Sequence, residues 1–270
     1  MNKYAVIGNP IHHSLSPTIH AQFAKQIGLS MCYEKILAPL DGFTVVAQNF
    51  VSSGALGFNI TVPFKVEAYD LVDNYTLNAK TAGAVNTIKV ENDTLYGENT
   101  DGIGLVNDLC NNLQQSIKGK DILILGAGGA TQGIILPLLE CKPERILVAN
   151  RTKSRSLKLA NNFSEYGKVC GFGLDQIKSK PVDIIINATS ASLDGKMPKI
   201  PTGVAAGALC YDLMYGRQTP FMQWAKENSA LEVTDGLGML VEQAASTFTF
   251  WHGKTPETKE VLKSLRETID

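Results

Sequence analysis

Short β-branched runs alternate along almost the whole chain with longer segments of helical hydrophobic period, the pattern of βαβ units around a mostly parallel sheet. Apolar runs bounded by turn residues predict strands at Lys3 to Gly8, Met31 to Leu37 and Ala55 to Ile60, and helices at Pro17 to Ile27, Phe43 to Ser52 and Phe64 to Leu71. Ser16 before Pro17, and Thr61 with Pro63 close behind, read as helix caps. VNTIKV and TLYGEN, separated by Glu91-Asn92-Asp93, predict an antiparallel hairpin. From Asp101 a helix to about Leu113 restarts the series. Strands are then expected at Asp121 to Leu125, Arg145 to Ala149, Lys168 to Phe172, Asp183 to Ala188 and Ala208 to Leu213. Two helical patterns with no strand between them, Leu237 to Trp251 and Pro256 to Leu265, close the chain. The fold class is α/β.

Composition narrows the partner. The 270 residues, set against roughly 150 for a common domain, make just under two compact units. With 44% hydrophobic residues the chain can build a sizeable core, which excludes general disorder. Its 25 basic and 26 acidic side chains leave a net charge of −1, so no global attraction to nucleic acid or anionic lipid is expected and the partner is a small molecule. Cys32, Cys110, Cys141, Cys170 and Cys210 form no C-x-x-C pair and fit reduced, mostly packed thiols of a cytoplasmic protein. MNKYAVIGNP has too few apolar positions for a signal-peptide core, and no membrane span is expected. His12, His13, His20 and His252 lack metal-ligand spacing, so they are expected at the surface or in local hydrogen bonds, with no metal site.

In DILILGAGGATQGIILPLLE, Gly126, Gly128 and Gly129 stand between a strand and a helix. A dinucleotide site needs such a turn, because backbone must approach the pyrophosphate without an intervening Cβ and helix N–H groups must face it. Thr131 takes the place of the third glycine, and a plain strand-to-helix turn is an equal reading of this stretch alone. Pro137 should kink the following helix or sit near its end. The next strand ends not in an acidic residue but in Asn150-Arg151-Thr152-Lys153-Ser154-Arg155. Cations at a helix N-terminus oppose the macrodipole by roughly 0.3 to 1 kcal/mol each, a conflict that a bound 2′-phosphate would resolve. Together the two motifs favour NADP over NAD.

A second polar constellation follows the early strands. Ser14 accompanies Ser16, and Asn59, Thr61 and Lys65 follow the third strand. Lys65 falls in a first helical turn, where its charge needs an acidic neighbour, and Asp101 is the best candidate despite a respectable reading as a helix cap. Asn86 opens the hairpin. Such loops at strand ends build ligand sites in α/β folds, and Ser, Asn, Thr and Lys without an arginine cluster suit a polyhydroxylated substrate.

Ser14-Leu15-Ser16-Pro17, Asn59 to Lys65, Ala82 to Thr87, Asn99-Thr100-Asp101-Gly102, Gly126 to Ala130, Asn150-Arg151-Thr152, Asn187 to Ser190, Tyr211 to Tyr215 and Asp235 to Leu240 resemble, in order and over nearly the whole chain, the shikimate dehydrogenase family. The resemblance implies an N-terminal substrate domain with a Rossmann-type doubly wound NADP domain inserted, residues 1–100 and 237–270 forming the first and 101–236 the second. It implies reversible NADPH-dependent reduction of 3-dehydroshikimate to shikimate, on the route to chorismate and the aromatic amino acids. Lys65 and Asp101 are then the catalytic pair. Ser14, Ser16, Asn59, Thr61, Asn86, Asp101, Tyr215 and Gln243 contact substrate. Helical spacing puts Met239, Gln243 and Thr247 on one side of the final segment. For NADP the resemblance points to Gly126, Ala127, Gly128, Gly129 and Ala130 at the pyrophosphate and to Asn150, Arg151, Thr152 and Arg155 around the ribose phosphate. Thr189, Leu213, Gly236 and Met239 fall near the nicotinamide. Leu77 departs from the acidic or polar residue that relatives often carry beside the cofactor.

Two other readings stay open on the sequence. One is a quinate/shikimate dehydrogenase with relaxed use of NAD and NADP, and the other a nucleotide-sensing protein without chemistry. Paired serines with Arg151 and Arg155 favour the shikimate-specific NADP form, Lys65 and Asp101 favour an enzyme, and a monomer or homodimer is expected.

Overall fold

The computed structural model describes residues 2–269, apart from the side chains at 193 and 194; Met1 and Asp270, the outer limits of the expected domain bounds, lie outside it. Among the described residues the chain divides into two compact units, residues 2–104 with 240–268, and residues 105–239 with 269. The crossings fall inside two helices, α5 (Asp101–Asn107) and α9 (Leu237–His252).

In the first unit, β1 (Asn2–Gly8), β2 (Met31–Leu37), β3 (Ala55–Ile60), β4 (Asn74–Tyr75), β5 (Thr87–Glu91) and β6 (Thr94–Glu98) form one sheet in the order β2-β1-β3-β5-β6-β4. β1, β2 and β3 run parallel, and the hairpin β5–β6 turns antiparallel to β3. The period of two along β1 separates two cores. Ala5 and Ile7 pack with Phe43 of α2 (Phe43–Ser52), with Phe58, and with Phe64 just before α3 (Lys65–Leu71); the Phe43 and Phe64 rings stack at 5.1 Å. Tyr4 instead meets Trp251 of α9, its ring centroid 4.6 Å away. Trp251 Nε1 donates to Ile88 O at 2.9 Å across Gly57, where a Cβ would come within 2.6 Å of that nitrogen. Only glycine lets the indole lie on the sheet. The unit is completed by α1 (Ser16–Gln26), α4 (Leu77–Ala82) and most of α10 (Lys259–Ile269).

The second unit carries β7 (Asp121–Leu125), β8 (Arg145–Asn150), β9 (Val169–Gly173), β10 (Ile184–Asn187), β11 (Leu209–Asp212) and β12 (Glu232–Thr234), all parallel, in the order β12-β11-β10-β7-β8-β9. This is the doubly wound order, reversing between β7 and β10, where ligands collect at the carboxyl ends of the strands. Ile122, Ile124, Ile184 and Ile186 pack on one face with Ile134 and Leu138 of α6 (Gly129–Glu140) and Leu159 of α7 (Lys153–Asn162). Leu123, Leu125, Ile185 and Cys210 pack on the other with Phe221 and Ala225 of α8 (Pro220–Glu227). Pro137 sits inside α6, buried in the third turn.

Several local expectations are corrected. Ser16 is the first residue of α1 rather than its cap, which is Leu15; the bond from the Ser16 N–H goes to Ser14 Oγ at 3.3 Å. Thr61 does not cap α3 either, because a cis Val62-Pro63 turn separates it from the helix, whose N-cap is Phe64. Asp101 lies within the first turn of α5, and that helix ends at Asn107 and continues as a π-helical turn, Asp108–Asn112. His20 is fully buried, not superficial, because it shares the apolar face of α1 with Ile19 and Phe23. The thiols are all free, yet Cys32 and Cys170 are exposed, and only Cys210 is buried.

Candidate active site

In the first unit the candidate residues gather where β1, β3, β5 and β6 end. Lys65 opens α3, and its Nζ lies 2.5 Å from Asp101 Oδ2, with 23% of the lysine side chain and 9% of the aspartate exposed. Asp101 Oδ1 accepts from Asn86 Nδ2 at 2.8 Å, and the Asp101 N–H donates to Asn99 Oδ1 at 3.2 Å. The carboxylate is thereby turned and held, leaving the ammonium one firm partner and an open side. Asn59 is buried in β3, accepting from Tyr33 Oη at 2.7 Å and donating to Asn86 O and Thr87 Oγ1 at 3.1 and 3.0 Å. Gln243 in α9 accepts from Thr100 Oγ1 at 3.3 Å and donates to Leu240 O at 2.8 Å. Ser14 Oγ and Ser16 Oγ are 3.2 Å apart. Burial raises the Tyr33 phenol well above its ordinary range, partly offset by a hydrogen bond with the Ser16 hydroxyl. Thr61 leads into the loop before α3, its methyl against Gly8. Serines, amides and the ion pair thus line one set of strand ends, where an uncharged hydroxyl or a carbonyl would find donors and acceptors in fixed directions.

The second unit collects its residues around the reversal point. Gly126 has φ +105°, and a Cβ there would reach Ala188 O at 3.0 Å and the Thr189 methyl at 3.3 Å. Thr131, in the third glycine's place, is buried and donates to Gly126 O at 3.0 Å, closing the turn from within. Cβ atoms added at Gly128 and Gly129 would meet nothing, so bare backbone at the start of α6 faces open space. A cleft of about 250 Å³ opens there, lined by Ala127, Gly128, Gly129, Gln132, Arg155 and Lys158 among others. That cradle and its cations fit the phosphates of a dinucleotide. Asn150 ends β8 and donates to Thr152 O at 2.9 Å, and the first turn of α7 holds no acidic residue to balance Lys153 and Arg155. Arg151 is exposed beside them, and Ala130 follows in the first turn of α6.

Past β10, Thr189 Oγ1 donates to Asn187 Oδ1 at 2.8 Å, and Asn187 Nδ2 reaches buried Asp212 Oδ2 at 3.2 Å. Asp212 also takes Thr219 Oγ1 at 2.6 Å and the Met214 N–H at 3.1 Å, so one carboxylate ties the loops after β10 and β11. Gly236 packs on the Leu213 backbone too closely for a Cβ, and Met239 N–H donates to Tyr211 Oη at 3.3 Å. The Tyr211 phenol is held far above its ordinary pKa by burial and by Asp108, whose Oδ2 accepts from it at 2.6 Å. Tyr215, in the same loop as Leu213, has its phenol raised by burial.

Comparison with known proteins covers both units. The shikimate dehydrogenase substrate binding domain model matches residues 6–88, the shikimate / quinate 5-dehydrogenase model residues 108–194, and the shikimate 5'-dehydrogenase C-terminal domain model residues 236–266. A shikimate dehydrogenase (NADP(+)) of Ruthia magnifica subsp. Calyptogena magnifica is 62% identical over 266 residues, covering 98% of this chain and 100% of its own. The chain belongs to the shikimate dehydrogenase family. Among solved structures similar to this chain, an Ael1 enzyme from Pseudomonas putida has a TM-score of 0.94 at 40% identity, covering 98% of both chains. Shikimate 5-dehydrogenase from Thermus thermophilus, solved in complex with NADP(H) and shikimate, has a TM-score of 0.87 at 31% identity and covers 99% of both chains.

In this shikimate dehydrogenase family member, sequence reading missed the residues that hold the site from behind. Tyr33 of β2, Thr87 of β5, Thr100 after β6, Asp212 of β11 and Thr219 at the α8 N-cap have no assigned role in the sequence motifs; Tyr33–Asn59 and Thr100–Asn86 span 26 and 14 residues, while Thr87–Asn86 and Thr219–Asp212 are close in sequence and take their roles only from the folded surroundings. Gln132 and Lys158 at the cleft had a signal: Lys158 stands one turn beyond Arg155, on the same side of α7.

Proposed function

We propose that this chain is an NADP-dependent shikimate dehydrogenase, interconverting 3-dehydroshikimate and shikimate in the aromatic pathway, in the cytoplasm and as a monomer or homodimer. The observation that carries the reading is the Lys65–Asp101 pair, clamped by Asn86 at the strand ends of a family member. NADPH, when bound, supplies the hydride. As a carbonyl carbon is reduced its oxygen gains negative charge, so a positioned ammonium stabilises that charge and gives up a proton to it. Lys65 does this, with Asp101 holding its ammonium in place. Ser14, Ser16, Asn59, Thr61, Asn86, Gln243 and Tyr215 are assigned to the substrate, as hydroxyl and amide partners for its polar groups. Residues 126–130 would hold the pyrophosphate on the α6 N-terminus, and Asn150, Arg151, Thr152 and Arg155 the 2′-phosphate. Thr189, Leu213, Gly236 and Met239 would flank the nicotinamide. Residues 1–100 with 237–270 form the substrate domain, and 101–236 the nucleotide domain.

The test is steady-state oxidation of shikimate and quinate, each with NADP and NAD. Shikimate with NADP should be far the best combination. Comparable use of NAD or quinate would instead favour a relaxed quinate/shikimate dehydrogenase, and no turnover with any combination would remove the enzymatic reading.

A further inference from the structure

Behind Asn86 lies a closed cluster of three buried threonine hydroxyls, Thr87, Thr100 and Thr247, between β5, the end of β6 and α9. The partners determine where each proton points. Asn86 Oδ1 accepts from the Thr100 backbone N–H at 2.9 Å, a donor that cannot reverse, so the other end of that amide, facing Asp101 Oδ1, is its nitrogen. Thr87 Oγ1, 3.0 Å from Asn86 Oδ1, therefore donates to it. With its single proton so used, Thr87 accepts across the 2.8 Å contact with Thr247, and Thr247 is the donor. The Asn59 amide is fixed likewise, by Asn86 O, and its nitrogen also reaches Thr247 Oγ1 at 3.2 Å. Thr100 Oγ1 accepts from Asn86 Nδ2 at 3.0 Å, and its own proton has Gln243 Oε1 at 3.3 Å, Thr247 Oγ1 at 3.2 Å and Asn86 Oδ1 at 3.2 Å within reach.

We infer that Thr247 is a positioning residue for the reaction: its proton starts the ordered series Thr247 to Thr87 to Asn86, which supplies the second donor on Asn86 Oδ1 and, with the Thr100 N–H, holds the amide tightly against Asp101. Thr247 touches neither Lys65 nor Asp101 and stands one helical turn beyond Gln243. Its hydroxyl is the one member of the cluster shared by Asn59, Thr87 and Thr100. An apolar replacement of equal size leaves those three groups facing a methyl, so Thr87 loses its donor and its own bond to Asn86 Oδ1 slackens, which loosens the Asn86 amide against Asp101 without reversing it.

This inference rests on the dehydrogenase reading, which wild-type shikimate oxidation tests by itself. A neutron crystal structure of the deuterated full chain tests the proton order without reference to activity: deuterium should lie from Thr247 towards Thr87 and from Thr87 towards Asn86 Oδ1, and the reverse order would overturn the inference. In kinetics, Thr247→Val should lower kcat by about 10-fold or more with KM for NADP unchanged, while Thr247→Ser, which keeps the donor, should return kcat to within about 3-fold of wild type. Thr87→Val, interrupting the same series, should match Thr247→Val, and adding Thr247→Val to Asn86→Ala should lower kcat no further. Wild-type kcat in Thr247→Val, failure of serine to restore it, or independent effects of Thr247→Val and Asn86→Ala would each sink the inference.

Discussion

Lys65 Nζ and Asp101 Oδ2 lie 2.5 Å apart, although the lysine opens a helix on one side of the sheet and the aspartate opens another 36 residues later. The lysine charge is unfavourable at a helix start, and the aspartate favourable, so their pairing offsets the first with the second. Lys65→Ala removes the ammonium and should lower kcat for shikimate oxidation by roughly 10²-fold or more, with NADP affinity nearly unchanged. Fluorescence titration with NADP(H) beside steady-state kinetics separates the two effects, and near-normal turnover would exclude Lys65 from the chemistry.

On the nucleotide side, Arg151→Ala should raise KM for NADP by about 10-fold or more and leave KM for NAD nearly unchanged, since charge-assisted bonds to a 2′-phosphate are worth about 1.5–3 kcal/mol. Equal losses for the two cofactors would refute the assignment.

Asp212 is wholly buried, and its carboxylate is held by the hydroxyl, amide and N–H donors around it. Thr219→Val deletes the 2.6 Å donor and should cost about 1–3 kcal/mol, measured as a lower urea midpoint. Because Asp212 also holds Asn187 and, through it, Thr189, KM for NADP should rise in the same variant. A loss of stability with an unaltered KM would separate Asp212 from the nucleotide site.

His20 supplies a pH dependence. Its ring stacks on Tyr33 at 4.6 Å, neither nitrogen has a hydrogen-bond partner, and burial with His252 nearby holds its pKa down to about 3. Between that value and the ordinary 6.5, the unfolded chain binds a proton that the folded chain does not. Stability is therefore full above about pH 6.5 and falls with acidification by up to about 1.4 kcal/mol per pH unit. His20→Phe should lose less stability than wild type between pH 7.5 and pH 5 in urea unfolding; parallel losses would show that the depressed imidazole contributes nothing.

The strand pattern was legible because each strand is an apolar run closed by a turn signal: β2, β3 and β7 begin and end where the hydrophobic runs do. β4 and β12, two and three residues long, are too short to show a period. α8 had a readable start, Thr219 before Pro220, and Thr219 Oγ1 does accept from the Met222 N–H at 3.2 Å. The cap assignments at Ser16 and Thr61 went wrong for a shared reason. A hydroxyl ahead of a proline predicts a helix start nearby, but whether the helix begins one residue sooner, as at Leu15-Ser16, or only after a further turn, as past Thr61, depends on what the loop packs against. The candidate site was readable as residue types at strand ends. Its supporting hydrogen bonds were not, since Asn59 to Thr247 spans 188 residues and is brought about by packing alone.

The split of the first unit into residues 2–104 and 240–268 has a temporal consequence. As the chain leaves the ribosome, the segments bearing Lys65, Asn86 and Asp101 emerge early, yet Gln243, Thr247 and Trp251 arrive only after the whole of residues 105–239. The second unit, nearly all of it in the continuous run of residues 105–239, is available sooner and can fold as a block. Until α9 emerges, Gly57 presents bare backbone where the indole will lie, and the threonine hydroxyls of the sheet lack their last donor. The first unit, although its synthesis begins earlier, is completed last.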